Sequence, residues 1–424
     1  MTDMAPLVNK TVPFRFRGAD LKLDLSHALF SSFDVDAGTR LLLKAVGRDE
    51  VLLRARRVLD AGCGVGVIGL SVAAALPGAL VEARDRDLLA CAFTERNRER
   101  NKVPNLGVRP GLLATGAETG PFDYILTNIP AKGGGPVLEK FFMTAPDLLV
   151  PGGRLAVVIV KPLAESAKKW LAAAGFCIVA GERGANHLVF VAERGAPEAA
   201  PPTAARAVPA TPSPMESPRT DFEPLDFSAL DLDVYVRRRG RFSLAGLQYE
   251  TAGIWGLPEF DTVGYGNAAA AELGERVLAG SLVRDMLVVN PGLGHLAIWA
   301  ARRLAPERLV AASRDYLSLA ATAANLAAQP RPRPLCEAMD ALRLDELSEA
   351  SFDCIAWSPD IVPEYDWIAP LWDAAARLLK RGGSLIVGCP PTELARIMKR
   401  RPQGFRNLGE KKKKSFAATA WCRE

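Results

Sequence analysis

The feature that most constrains this chain is internal repetition. Gly64-Val-Gly66 returns as Gly292-Leu-Gly294, 228 residues later, and Asn97 and Gly181-Glu182 return as Asn325 and Gly409-Glu410 at the same offset. Phe122-Asp123 and Gly152-Gly153 return as Phe352-Asp353 and Gly382-Gly383 at an offset of 230. An offset held so nearly constant means a duplicated domain, so both halves must share one fold. A length of 424 residues also suggests two cores rather than one. Between the halves, residues 195–224 carry Pro197, Pro201, Pro202, Pro209, Pro212, Pro214 and Pro218 among alanines, which predicts an extended, semi-rigid spacer. The expected domains are therefore 1–194 and 225–424.

Within the first half, Arg57-Val-Leu-Asp-Ala-Gly-Cys-Gly-Val-Gly-Val-Ile-Gly69 reads as a buried strand, a glycine turn and a helix start. Gly62, Gly64 and Gly66 let the backbone turn sharply and approach a ligand closely. The following helix presents free N–H groups and the positive end of its dipole. Two cofactors fit such a turn. Gly64-x-Gly66-x-x-Gly69 satisfies the dinucleotide pattern, whereas Asp60-x-Gly62-x-Gly64-x-Gly66 is the pattern of S-adenosylmethionine (SAM) enzymes. Asp60 favours SAM: a carboxylate there repels a pyrophosphate but suits the cationic amino group of a methionine moiety, held through the hydrogen bonds of the turn.

The elements around this turn follow from periodicity. Phe14–Arg17 and Leu21–Leu25 predict a short hairpin across Gly18-Ala-Asp20. Asp36 to Thr39 would open a helix carrying Leu41 to Leu43, with Thr39 and the first N–H groups facing the cofactor's carboxylate. Leu80 to Arg84 is a second strand closed by Asp85, placed to accept from both hydroxyls of a ribose. Asp87 caps the next helix, on which Arg96, Arg98 and Arg100 read as a solvated face or as phosphate contacts. Gly107 to Arg109 is a third strand, with no acid after it to hold an adenine amino group. Phe122 to Asn128 is a fourth, running into Ile129-Pro130-Ala131. At the carboxyl end of the sheet, Asn128 and the Pro130 turn would accept hydrogen bonds from an exocyclic amine and orient its lone pair. With the remaining strands, including a final antiparallel pair near His187, the expected class is α/β: two tandem Rossmann-like class I SAM methyltransferase domains, each a doubly wound, mostly parallel seven-stranded sheet.

The second half keeps the glycines and apolar strands but loses the polar groups. Val288 stands for Asp60, Asn290 for Gly62, Ser313 for Asp85, Gly264 for Asp36 and Ser358 for Asn128. It therefore reads as a non-catalytic copy serving packing or substrate placement. Its basic runs are Arg237-Arg-Arg-Gly-Arg241, Lys399-Arg-Arg401 and Lys411-Lys-Lys-Lys414, the last a solvated hairpin tip or a phosphate-contacting finger.

Seven cysteines form no C-x-x-C pair and three histidines (His27, His187, His295) are dispersed, so no metal site is expected. No apolar run is long enough to span a membrane, and the amino terminus lacks a signal-peptide layout, so the expected location is the cytoplasm. A net charge of +5 permits an RNA partner without demanding one.

Phe14-Arg-Phe-Arg-Gly18, Leu29-Phe-Ser31, Val35-Asp-Ala-Gly-Thr-Arg-Leu-Leu-Leu43, the Asp60–Gly66 turn, Phe122–Asn128 and Pro151-Gly-Gly153 together resemble the RsmC-like small-subunit rRNA guanine-N2-methyltransferases of the methyltransferase small domain group. The resemblance implies SAM as cofactor, rRNA or a ribosomal subunit as partner, and guanine N2 as acceptor. The chain departs from the family where its Asn-Pro-Pro-aromatic loop reads Asn128-Ile-Pro-Ala131; Phe30 or Phe33 would then supply base stacking. Two-copy relatives place the degenerate copy first, whereas here it is second. Other acceptors (a protein amide, a tRNA base, a small-molecule amine), a non-catalytic RNA-binding protein and a dehydrogenase are the alternatives.

Overall fold

A computed structural model describes residues 4–424 apart from 31, 114–120, 130–132, 196–223, 229, 260 and 332. Almost all of the expected spacer, and Pro130 of the acceptor turn, lie outside the described residues.

The first unit opens with a hairpin, β1 (Lys10–Phe16) and β2 (Ala19–Leu25), reversed at Arg17 and Gly18. There follow α1 (Ala37–Val46), α2 (Glu50–Arg54), β3 (Arg57–Ala61), α3 (Val67–Ala75), β4 (Leu80–Asp85), α4 (Leu88–Asn101), β5 (Leu106–Pro110) and β6 (Phe122–Asn128). The unit closes with α5 (Gly135–Thr144), β7 (Leu149–Val160), α6 (Ala164–Ala173), β8 (Phe176–Arg183) and β9 (His187–Arg194). Its seven strands run in the order β5-β4-β3-β6-β7-β9-β8, parallel except where β9 meets β7 and β8. The order reverses between β3 and β6, so the carboxyl ends of these two neighbours form the crevice where α/β sheets take ligands. His187 is a strand residue of the antiparallel pair.

The second unit repeats this plan. It has a hairpin, β10 (Val236–Leu244) and β11 (Leu247–Ile254), then α7 (Tyr265–Val277), β12 (Asp285–Val289), α8 (His295–Arg303), β13 (Arg308–Ser313), α9 (Tyr316–Ala327) and β14 (Leu335–Asp340). β15 (Phe352–Trp357), α10 (Ile368–Leu378), β16 (Leu379–Cys389), α11 (Pro391–Lys399), β17 (Phe405–Lys413) and β18 (Phe416–Arg423) complete a sheet of order β14-β13-β12-β15-β16-β18-β17. Chain duplication has thus become duplication of fold, strand for strand.

Both sheets are buried on two faces, which explains their near-continuous apolar strands. Val58, Tyr124 and Leu126 face the core under the first hairpin, while Leu59, Ile125 and Leu155 face a second core. That second core is contiguous across the chain: it also contains Tyr235, Leu257 and Leu317 from the other unit. The units meet about a local pseudo-dyad. Leu88 N–H donates to Arg314 O at 2.7 Å, and Tyr316 N–H donates to Arg86 O at 2.8 Å. Residues 314 and 316 are 86 and 88 advanced by the repeat offset of 228. Arg86 also pairs with Asp315 at 2.6 Å.

Two of the arginines on α4 are tied to the hairpin, while Arg98 pairs with Glu95 on its own helix. Arg96 and Arg100 reach Asp24 of β2 at 2.8 and 3.1 Å, and Thr11 donates to the same carboxylate at 2.6 Å. Asp24 is fully buried, and burial alone would raise its pKa; the bonds from Thr11 and Arg96 and the charge of Arg100 outweigh this and hold it below the usual carboxylate value. The trio locks the hairpin onto α4. Three of the four lysines at the end of β17 are likewise occupied: Lys411 and Lys413 both pair with Glu272, and Lys414 donates to Tyr265 Oη at 2.7 Å.

Candidate active site

After Ala61 the chain turns through Gly62, Gly64 and Gly66 with φ of 81°, 57° and 86°. This is left-handed backbone that glycine adopts without strain. The three glycines serve different ends. A Cβ on Gly62 or Gly64 would meet nothing within 4 Å, so bare backbone there faces open space. A Cβ on Gly66 would strike Thr94 at 2.8 Å and Leu70 at 3.0 Å. Gly66 is required for α3 to pack on α4.

Two carboxylates support the turn. Asp60 is fully buried, with Oδ2 accepting from Gly69 N–H at 2.7 Å and Oδ1 without a hydrogen-bond partner. Burial pushes its pKa up to about 7, against the Gly69 bond and with help from Asp85. Asp60 thus grips the turn from beneath. Asp85, half-buried at the end of β4, accepts from Gly64 N–H and Asp87 N–H, each at 2.9 Å. Burial raises its pKa, while these two N–H bonds oppose the rise.

Across the crevice, β6 delivers Asn128. Its Nδ2 lies 3.2 and 3.3 Å from the two oxygens of Asp36 and 3.1 Å from Thr39 Oγ1. A carboxylate only accepts, so the amide end turned towards Asp36 is the NH₂ and Oδ1 is the end turned away. Asp36 also caps α1, accepting from Gly38 N–H at 2.8 Å and Thr39 N–H at 3.2 Å. The sequence Val35-Asp-Ala-Gly-Thr39 now has a physical reading. Aspartate caps the helix and holds an amide; threonine adds a second acceptor. Glycine is needed because a Cβ on Gly38 would lie 3.0 Å from Asp36 Oδ1 and 3.4 Å from Asn128 Nδ2. The side chains of Asp36 and Thr39 thus both meet Asn128.

The methyltransferase small domain profile matches residues 20–175. The uncharacterized protein YbxB of Bacillus subtilis is 31% identical over 153 residues, 36% of this chain and 75% of that protein. The chain belongs to the methyltransferase small domain family. This SAM-dependent methyltransferase also aligns with the ribosomal RNA small subunit methyltransferase C of Chromohalobacter salexigens, 36% identical over 149 residues, 34% of this chain but only 43% of that enzyme. Over its whole length it shares its two-unit fold with the T. thermophilus 16S rRNA N2 guanine methyltransferase (RsmC), with a TM-score of 0.65 at 20% identity and full coverage of both chains.

The residues present fit the family's cofactor. Open space over Gly62 and Gly64 leaves room for a ligand against bare backbone, and the amino end of α3 lies directly beyond. The orphaned Oδ1 of Asp60 is a buried acceptor of the sort that a cationic amino group satisfies. Asp85 retains the carboxylate suited to a diol.

The second unit's corresponding hollow is altered by side chains. Asn290 holds the place of Gly62 at φ 55°, and its Nδ2 donates to Ser358 O at 2.9 Å, bridging the two strand ends. Val288 is fully buried where Asp60 stood. Ser358 Oγ donates to Asn267 Oδ1 at 3.3 Å, a contact that occupies the place of Asn128 with Thr39. A cavity of about 400 Å³ remains, lined by Arg86, Asn290, Gly292, Ser313 and Ser358 among others.

Sequence reasoning missed the Asp36–Asn128 pairing and the contact of the second unit with the acceptor loop. The first had a signal, the Asp-x-Gly-Thr spacing. The second had none, because it joins residues far apart in the chain.

Proposed function

We propose that this enzyme methylates an exocyclic amino group, N2 of guanine in small-subunit rRNA, in the cytoplasm. The observation that carries the proposal is the anchored amide of Asn128. With its NH₂ held by Asp36 and Thr39, its Oδ1 is committed to accepting, which is what an incoming amine requires. An accepted N–H fixes the amine's direction and draws its lone pair out of conjugation, so that the nitrogen attacks before it loses its proton. No strong base is needed for such a step.

Gly62, Gly64 and the amino end of α3 would receive the methionine moiety, with Asp60 beneath and Asp85 on the ribose. When bound, SAM supplies an electrophilic methyl on a sulfonium. Pro130 follows Asn128 in sequence and belongs to the same proposed acceptor turn. Phe30 and Phe33 are 71% and 63% exposed on the segment leading into Asp36, and are suited to stack on a base in place of the aromatic that Ala131 replaces. The second unit, without Asp60, Asp85 or Asn128 equivalents, is the non-catalytic partner, with the domains taken as 1–194 and 225–424. The T. thermophilus protein bound to AdoMet and guanosine, and the C. salexigens relative named for small-subunit rRNA, support this acceptor.

Two experiments test the reading. Asn128→Ala should abolish methyl transfer and leave SAM affinity near normal; lost SAM binding would reassign the residue. Nucleoside mass spectrometry of rRNA from cells lacking the protein should show N2-methylguanosine missing at one position. An unchanged nucleoside profile would move the acceptor to a protein amide, a tRNA base or a small amine.

A further inference from the structure

We propose that Trp255, in the non-catalytic unit, is a positioning residue for methyl transfer: it braces the loop that begins at Asn128. The inference rests on the assignment of Asn128 to the acceptor amine. Gly134 closes that loop and caps α5 at φ 91°. A Cβ built on it would come within 3.1, 3.2 and 3.3 Å of three indole carbons of Trp255, so its α-carbon lies directly against the ring. At that φ and that distance a side chain would be strained and crowded. The ring is fixed from its own unit. The Trp255 backbone N–H donates to Tyr235 O at 2.7 Å, which holds the main chain, and the Arg237 guanidinium lies 4.9 Å from the ring centroid while pairing with Asp261 at 3.3 Å. At the other end of the loop, Ile129 is buried in the core that both units share. The two described ends are therefore held, Ile129 by the shared core and Gly134 by the second unit.

The pseudo-symmetry of the chain gives this contact a second, independent instance. Trp255 is His27 advanced by 228, and Glu364 is Gly134 advanced by 230. His27 and Glu364 also meet, with Nε2 3.2 Å from Oε2, and Glu364 holds positive φ at 63° as Gly134 does. Each unit's acceptor-type loop thus seats on the residue beyond the other unit's hairpin. On the side without chemistry the contact is a polar pair. On the catalytic side it is a rigid aromatic face against a glycine. This explains why a unit stripped of catalytic groups is retained as part of the enzyme: the acceptor loop is held by it.

Three readouts on the full chain test the brace. Trp255→Ala should increase amide hydrogen exchange over Gly134–Leu138, which needs no substrate. It should lower kcat by about 10- to 100-fold, the scale of a small misplacement of reacting groups, with SAM affinity unchanged. Trp255→Phe should keep most of the rate, since a ring face remains. Unchanged exchange in Trp255→Ala, or increased exchange at full kcat, would overturn the proposal. So would a fall in SAM affinity that tracks the fall in rate, or equal losses in the Phe and Ala variants, both signs of a purely structural role. If the wild-type chain leaves guanine in rRNA unmethylated, the acceptor assignment fails, while hydrogen exchange still reports on the brace.

Discussion

Asp36→Asn is the sharpest perturbation of the proposed site because it changes chemistry and almost nothing else. The Asp36 carboxylate accepts from Gly38 N–H, Thr39 N–H and the Asn128 amide. An asparagine has one acceptor oxygen in place of two, and it caps helices about as well as aspartate. That oxygen can still serve α1, so thermal stability should change little. The second position becomes an NH₂, which repels the NH₂ of Asn128 and favours a flip of that amide. Hydrogen bonds to charged groups contribute roughly 1.5–3 kcal/mol, so loss of this orientation should lower kcat by about 10- to 100-fold. Transfer of labelled methyl from SAM into rRNA measures kcat, and calorimetry with SAM measures the cofactor separately. The expected pattern is a lower kcat at unchanged SAM affinity and unchanged melting temperature. Full activity in Asp36→Asn would refute the claim that Asp36 sets the direction of the Asn128 amide. Lost SAM binding would return Asp36 to the cofactor.

Asp24→Asn leaves Arg96 and Arg100 without their shared carboxylate, and because both guanidinia are about one-third exposed the cost should be about 2 kcal/mol, below the 3–5 of a fully buried pair, read as a lower urea midpoint. Its depressed pKa means that the wild-type contribution is present above the ordinary carboxylate range and is lost as pH falls through the lowered value; the variant should lack that part of the acid sensitivity. Gly62→Ala places a methyl in the open space over the turn and strains a left-handed residue by roughly 1–2 kcal/mol, so SAM affinity should fall with only a modest loss of stability; unaltered affinity would mean that the cofactor lies elsewhere. Asp60 and Asp87 have pKa values raised to about 7, so their stabilising contribution is complete below the unfolded carboxyl value and is lost as pH rises through about 7; burial raises Asp85 in the same direction. Denaturant midpoints of the ligand-free chain should accordingly fall between about pH 4 and 7, and less steeply in Asp60→Asn.

The sequence by itself determined the fold, its duplication and the position of the glycine turn. These rest on local rules: apolar strands at fixed spacing, glycines where backbone must be left-handed, and an acid at a strand end. Asn128 was identifiable for the same reason, since it closes a strand that must end beside the turn. Tertiary structure alone decided which side chains meet. It converted Arg96 and Arg100 from a solvated face into a lock on Asp24, and tied Lys411 and Lys413 to Glu272. It set Gly66 against Thr94 of α4 and brought Asp36 and Thr39 to Asn128. It also set Trp255 against Gly134 across more than 100 residues of chain. A residue's backbone preference is written beside it in the sequence, but its partner is chosen by how two sheets pack, and that depends on all the buried surface at once.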